Sequence, residues 1–573
     1  MADLSFLQRL KERKLGQWTL AYLAGAFVVL QLLDALDEPL NLSATLQRSI
    51  LVVVAFGFFV TLVLAWYHGE RGRQRVSGPE LIMISALLVM AGVALSLLGR
   101  DGGGAAKNLD ARAVPGGDDR PSIAVLPCDN FSPNPEDAYR AQGIHEEILV
   151  QLRGISSLRS LGRTSVLQFA DNPRPTQEIA EALGVEFVGE CSVFKDPDQT
   201  LIRVTFQLLD ATGTQQWADQ FDRDLTVANI YDIQSEIAER VANSVGARLK
   251  PTDMDRISTA PTQSLRAYEL YTQGRVLWWS RGPESLDQAI ELFEAAIEED
   301  STFAKAYAAL AETYAILPDL GGPSYAEMLP LAREAAETAL SLDPDLPEAY
   351  TASGYVHAVF EWDWEAAERD YLRAIELDPD YGTAHQWYAE MLAQMGRWDE
   401  AQEEARRGVD LDPRSPAITA IMGWILTYTG RHREAIQWFE RSHAIAPEYG
   451  PPVVGLAQTY RYMGDYPASA TWYEQYAELG GVDPETFRAF LAGLSDPSRK
   501  AEAISVVRAS SDHVDAARFL AALGDPDGAI GALESAFEEH KPFLPWINSM
   551  PDFDGMKGDP RFQELLRRFG FPQ

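Results

Sequence analysis

The sequence predicts a multidomain fold: transmembrane α-helices, an α/β domain, then an all-α solenoid. Three observations carry that expectation. Residues 18–36, 50–67 and 81–98 are apolar runs with almost no internal charge. Between residues 121 and 250 the hydrophobic spacing switches between helical and alternating, as in a sheet covered by helices. Beyond that, a short phrase recurs at a nearly fixed step. Leu342-Asp343-Pro344, Leu377-Asp378-Pro379, Leu411-Asp412-Pro413 and Ile445-Ala446-Pro447 lie 35, 34 and 34 residues apart. Repetition at this period belongs to stacked helix–turn–helix units, whose usual product is a curved binding surface.

A chain of 573 residues has room for about two to four domains, each burying its own core. Its 84 acidic and 49 basic residues leave a formal charge of −35. Nucleic-acid binding needs clustered Lys and Arg to neutralise phosphate, so no nucleic-acid partner is expected. An acidic, solubilising surface accounts for the charge. Cys128 and Cys191 are the only cysteines, too few for a disulfide framework or a multi-cysteine zinc site.

Residues 1–99 read as a membrane anchor with three transmembrane helices. Each run holds 18 or 19 residues. At about 1.5 Å per residue, each nearly covers the roughly 30 Å of a bilayer core. The first run is too long for a cleavable signal peptide and lacks a small-residue cleavage site. Arg9, Lys11, Arg13 and Lys14 precede it, and Arg71, Arg73 and Arg75 separate the second run from the third. The positive-inside rule then puts the N-terminus in the cytoplasm. The expectation is a multi-pass inner (cytoplasmic) membrane protein with its soluble domains periplasmic. Asp34, the one acid within the runs, lies near a helix end, and Gly25, Gly57 and Gly92 suit close helix packing. Nothing there reads as a transport path.

Residues 100–120, rich in Gly, Ala and Asp, read as a flexible linker. Residues 121–250 form the α/β domain. Strands are expected at 122–126, 158–161, 185–194, 200–209 and 215–221, and helices at 136–152 and 176–183, the latter closed by Gly184. A final helix carries Ile230, Ile233, Ile237, Val241 and Val245 on one face. In the strand at 200–209, Ile202, Val204, Phe206 and Leu208 alternate with Arg203, Thr205 and Gln207, the period of a half-buried strand.

Ser122-Ile-Ala-Val-Leu-Pro127, Asp129-Asn-Phe-Ser132, Gly143-Ile144, Gly162-Arg-Thr-Ser165 and Ala182-Leu-Gly-Val185 follow one another in an order that resembles the TolB-like amino-terminal domain. Gln216-Trp217 and Phe221-Asp222-Arg-Asp224 extend the likeness, which departs at Cys128, His145 and Cys191. Trp66-Tyr-His-Gly-Glu70 through Arg75-Val-Ser-Gly-Pro-Glu80 resembles the anchor of the same bacterial proteins. The resemblance implies an α/β fold beside tetratricopeptide repeats in a membrane-anchored protein; some adenylate cyclases share that pairing.

Residues 251–263 read as a second linker, residues 264–540 as a tetratricopeptide (TPR) solenoid, and residues 541–573 as a C-terminal helical cap over its open end. The unit at 382–413 supplies Tyr388, Ala389, Leu392, Ala401, Ala405, Gly408 and Pro413. The next supplies Met422, Gly423, Leu426, Ala435, Phe439 and Pro447. Both resemble the tetratricopeptide pattern, in which small residues let paired helices approach and large ones fill the gap. Six or seven such units are expected. Counting from the small residue, the first helices present Tyr355, Glu390, Trp424, Tyr428, Gln458, Arg461 and Tyr462 to the concave groove. Rings with few charges fit a protein or peptide segment. The alternative is that some of these rings pack between helices. A grip on an acidic C-terminal peptide would need a basic cluster, and only Lys305 and Arg461 qualify.

Catalysis finds no foothold. His145-Glu146 opens like a zinc-protease helix, but Leu149 stands where the second His is needed, so His145 reads as an exposed helix residue. Asp343, Asp345, Asp378 and Asp380 lack the Gly and distal Glu of a calcium loop and read as turn residues, and Asp525-Pro-Asp527-Gly528 fails likewise. No phosphate loop or nucleophile elbow occurs. No catalytic, metal or cofactor-binding residue is assigned. Cys128 and Cys191 end neighbouring strands. They form a disulfide if the domain meets an oxidising compartment, or are otherwise two small buried hydrophobes.

The expected function is that of a non-enzymatic, membrane-anchored scaffold or adaptor. Its groove binds a protein or peptide partner, and the TolB-like domain adds a second interaction module. The alternative is an extracytoplasmic sensor or regulatory subunit signalling through the transmembrane helices to a separate output protein.

Overall fold

The computed structural model describes Tyr22, Phe58 and residues 120–571, except 135–136, 171–173, 197, 199, 258–259, 321 and 542. The expected membrane anchor requires a correction. Among the described residues no helix is long and apolar enough to cross a membrane. The longest have 18 residues and carry charged side chains, Asp232, Glu236 and Arg240 in one and Glu327, Arg333 and Glu337 in the other. A bilayer span takes about 20 apolar residues. The transmembrane part of the fold class, and the multi-pass inner-membrane and periplasmic placement that followed from it, therefore do not stand. The runs 18–36, 50–67 and 81–98 lie outside the described residues but for Tyr22 and Phe58, whose rings are 6.0 Å apart. The chain divides into compact units 1–113 and 114–573, and every element named below belongs to the second.

The sheet is built on β1 (Ser122–Val125), flanked in parallel by β3 (Arg159–Ser160) and β4 (Phe187–Lys195). β5 (Leu201–Asp210) and β6 (Gln215–Asp224) extend it antiparallel, and β2 (Asp129–Asn130) pairs with the far end of β4. β5 buries Ile202, Val204, Phe206 and Leu208, as its alternation predicts. One sheet face carries α1 (Ala138–Arg153) and α4 (Val227–Ser244), packed on Ile123, Val125, Val193 and Ile202. The other carries α2 (Arg163–Leu167) and α3 (Thr176–Leu183), packed on Ala124 and Val188. β2 and α2 are too short to leave a periodic signal. The expected linker at 251–263 opens with a helix, α5 (Pro251–Ile257).

Eight helix pairs follow, beyond the six or seven expected. They are α6 (Leu265–Trp278) with α7 (Pro283–Glu299), α8 (Ala304–Ile316) with α9 (Tyr325–Leu342), α10 (Pro347–Tyr355) with α11 (Trp364–Leu377), and α12 (Gly382–Gln394) with α13 (Trp398–Leu411). Next come α14 (Pro416–Tyr428) with α15 (His432–Ile445), α16 (Gly450–Tyr462) with α17 (Tyr466–Glu478), α18 (Pro484–Ser495) with α19 (Lys500–Val507), and α20 (His513–Ala522) with α21 (Pro526–Glu538). The α18–α19 pair is the one that the sequence reading did not count. The small residues act as expected. A Cβ at Gly274, Gly354 or Gly423 would stand 2.5, 2.9 or 2.6 Å from the ring of Phe293, Tyr371 or Phe439 on the paired helix. Gly396, Gly430 and Gly464, at φ of 78–79°, turn the chain between paired helices. The one 35-residue step holds an irregularity, a π-helical segment Val356–Glu361 ending at Trp362 with φ 55°.

The α/β domain sits on the turns of the repeats. The Gly162 amide donates to Leu411 O at 2.8 Å, the Arg414 amide donates to Ser165 Oγ at 3.1 Å, and Ser165 Oγ donates to Asp412. Arg120 grips Asp380 through two nitrogens at 2.8 and 2.9 Å, and Arg153 lies 3.4 Å from Asp378. The repeated turn carboxylates are thus docking points between the domains. Two expectations change here. Lys305 pairs with Glu147 of α1 at 3.3 Å and does not face the groove. His145 is buried, because α1 is sandwiched between the sheet and α6; its Nε2 lies 2.8 Å from Val125 O. Burial, then the nearby Arg163 charge, lower its pKa to about 4.

Candidate functional site

The first helices of the repeats line a groove, and the last part of the chain lies in it. After α21 the chain makes two 3-10 turns, Leu544–Asn548 and Pro551–Met556, and a short helix α22 (Pro560–Arg568). This segment does more than close the end of the solenoid, as a cap would. It runs back along the repeats as far as α11 and α12, because its aromatic residues find apolar seats there.

Trp546 is the first anchor. It is buried, its ring centroid lies 5.6 Å from that of Tyr428, and its indole is close enough to the Glu390 carboxyl to favour the charged form. Asn548 Nδ2 and Ser549 Oγ donate to the backbone carbonyls of Gln394 and Ala393, at 3.2 and 2.6 Å. These carbonyls belong to the last turn of α12, where the helix runs short of its own donors; Ala393 O also accepts from the Gly396 amide at 3.0 Å.

Asp552 is the second anchor. Arg461 holds both carboxylate oxygens, at 2.7 and 3.0 Å. Tyr462 donates its hydroxyl at 2.6 Å, and Arg518 Nε from α20 lies 3.5 Å away. Burial alone would raise the Asp552 pKa, but the Arg461 and Arg518 charges outweigh it and hold the pKa below the ordinary value. Charge-assisted, two-pronged contacts of this kind fix direction as well as position.

The end of the segment rests on the irregular stretch around Trp362. Trp364 Nε1 donates to Phe569 O at 2.7 Å, Phe569 meets the Trp362 ring at 4.5 Å, and Phe571 stacks on Trp364 at 4.9 Å.

Of the seven expected groove residues, Glu390, Tyr428, Arg461 and Tyr462 touch this internal segment. Tyr355 is buried, its hydroxyl donating to Asp319 and its ring 4.8 Å from Trp387. Trp424 packs edge-on against Phe439 at 5.1 Å, so it belongs partly to the space between helices. Gln458 is buried, and among the described residues its Oε1 has no hydrogen-bond partner. Asp319, Arg518, Trp362 and Trp364 were missed as site residues. Asp319 lies in a 3-10 turn beyond the counted helix positions. Arg518 stands one residue after the small Ala517, where the same count would have found it had it been carried to the last repeat. The Trp pair depends on the π-helical irregularity. Burial first, then the Asp319 charge, push the Glu390 pKa to about 8.

Cys128 and Cys191 are joined as a disulfide, with Cα atoms 4.6 Å apart. The bond ties the loop before β2 to β4. Among the described residues no group of three or more His, Cys, Asp or Glu side chains is placed to hold a metal ion. The groove holds the chain's own segment through a buried ring and a buried carboxylate.

Residues 361–425 match the family model described as "Tetratricopeptide repeat". That stretch of the solenoid carries tetratricopeptide repeats. That fold suggests a scaffold for protein–protein interaction and implies a protein or peptide partner. A stretch of 204 residues is 30% identical to "Putative adenylate cyclase 3" of Rhizobium meliloti (strain 1021), covering 35% of this chain and 34% of the relative. The chain thus spans about a third of that relative's length. Two solved structures are also similar. Pseudomonas aeruginosa pilF matches at 16% identity over 44% of this chain and 96% of that one, with a TM-score of 0.28. TTC0263, a thermophilic TPR protein of Thermus thermophilus, matches at 21% identity over 34% and 98%, with a TM-score of 0.29.

Proposed function

We propose that this chain is a non-enzymatic scaffold or adaptor whose repeat groove binds a protein or peptide segment. Residues 121–250, which we read as a bacterial TolB-like domain, serve as its second interaction module. One observation carries the reading. The groove already grips a non-repetitive peptide by a buried ring and a buried carboxylate, drawing on four different repeats. Convergence of several repeats on one extended segment is how a curved solenoid face recognises a partner. The docking of residues 121–250 on the repeat turns supports a fixed pairing of the two modules rather than a loose tether.

The likeness to an adenylate cyclase fits the same reading if the shared 204 residues form an interaction module in that relative. ATP and Mg²⁺ incubated with this chain are then expected to yield no cyclic AMP, and turnover would contradict the non-enzymatic assignment.

The direct test is recovery of partners from the source cells with the tagged full chain. A Trp424→Ala, Tyr428→Ala double variant that keeps its fold should lose the recovered partner. Equal recovery by wild type and variant removes the groove from the account.

A further inference from the structure

The segment that fills the groove is attached through strained backbone. His540 and Phe543 both have positive φ, 50° and 63°, and neither is Gly. Strain of this kind persists only where the surrounding contacts hold it in place. Phe543 is also 46% exposed, an unusual place for a large ring. Beyond this junction the segment is held by discrete anchors: Trp546 against Tyr428 and Glu390, Asn548 and Ser549 on the end of α12, and Asp552 between Arg461, Tyr462 and Arg518. These contacts resemble those of a bound peptide ligand.

We propose that residues 544–556 are a built-in competitor for the groove, and that its external partner is a peptide of the same chemistry, an indole followed six residues later by a carboxylate. The inference rests on the partner-binding reading above and adds the class of ligand and its regulation. Charge complementarity supports the carboxylate: Arg461 and Arg518 converge on one buried oxygen pair, and although Asp515 also holds Arg518 at 2.6 Å, a basic or neutral residue there would leave the buried Arg461 uncompensated. Shape supports the indole, which fills the seat between Tyr428 and Glu390. An external peptide must displace the internal one, so its apparent affinity falls by the fraction of chains with an open groove.

The test uses the full chain and a fluorescent synthetic peptide of residues 543–557. Trp546→Ala and Asp552→Asn each loosen the internal segment and leave the groove intact. Both variants should bind the peptide about tenfold or more tightly than wild type. Adding Arg461→Ala to Trp546→Ala should abolish that gain. Far-UV circular dichroism on every variant separates lost binding from lost fold. Failure of both single variants to bind, with wild-type helicity, overturns the proposal. So does binding that ignores Arg461→Ala. Dimers forming in the loosened variants without peptide binding would assign the groove to the tail of a second copy and overturn it too. Partner recovery distinguishes the two readings. If recovery depends on Trp424 and Tyr428 but the peptide never binds, competition falls alone; if the peptide binds but recovery ignores those residues, the partner reading falls.

Discussion

Arg461 and Asp552, 91 residues apart in sequence, form a buried two-pronged ion pair at 2.7 and 3.0 Å that fastens the last part of the chain to the sixth repeat. Removing one member leaves the other charged and buried, a loss of about 3–5 kcal/mol. Asp552→Ala should therefore lower unfolding stability by about that much. The Arg461→Ala, Asp552→Ala double variant should lose less than the sum of the single losses. Urea titration of the four proteins checks both statements. Additive losses would mean that the pair does not act as a unit.

Glu390 gives the groove a pH dependence of definite sign. Its ordinary pKa of 4.5 is raised to about 8 by burial first and the Asp319 charge second. The Asp319 pKa is itself raised to about 6 by burial. A raised carboxyl pKa means that the folded chain keeps a proton the unfolded chain has lost. Stability from this group is full below its ordinary pKa and declines as pH rises toward about 8. Asp552, with its lowered pKa, acts the opposite way but at more acidic pH. Melting temperature measured from about pH 5 to pH 8 should fall more steeply in wild type than in Glu390→Gln, which mimics the protonated form. Parallel slopes would show that Glu390 ionises normally.

Gly162 allows the two domains to meet. A Cβ there would stand 2.5 Å from Asp412 Oδ2 and 2.7 Å from its Cβ. Gly162→Ala should wedge the contact apart and destabilise the chain by about 1–3 kcal/mol, the usual effect of overpacking. Limited proteolysis should then cut between the domains faster than in wild type, and an unchanged rate would contradict the docking described here.

Cys128 and Cys191 close a loop across 63 positions of sequence. On loop entropy alone, such a link stabilises by about 4 kcal/mol. Non-reduced peptide mapping should find the two cysteines in one linked species. A Cys128→Ala, Cys191→Ala variant should lose up to about 4 kcal/mol of unfolding stability in a urea titration. Free thiols at both positions would remove the bond from the account.

Much of the fold was legible because it is periodic. The alternation of β5, the αL closure of α3 at Gly184 and the small-to-large fit of Gly423 on Phe439 each repeat a local rule that the sequence spells out. The groove was legible in part for the same reason. Arg461, Tyr462, Tyr428 and Glu390 follow from counting along each repeat. Its occupant was not. Pro545-Trp546 and Asp552 lie outside any repeat, and their pairing with Glu390 and Arg461 spans 91 to 156 residues without a local pattern. His145 was misplaced for a related reason: its helix is covered on both sides, once by the sheet and once by a different domain. The membrane expectation rested on runs outside the described residues, and no described helix supplies what a span requires.

The central claim is that the groove is filled by the chain's own residues 544–556. Hydrogen–deuterium exchange on the full chain tests it most directly. The account predicts that these residues exchange slowly in wild type and much faster in Arg461→Ala, while α12 and α16 keep their protection. Exchange of 544–556 at the rate of a free peptide in wild type would contradict it.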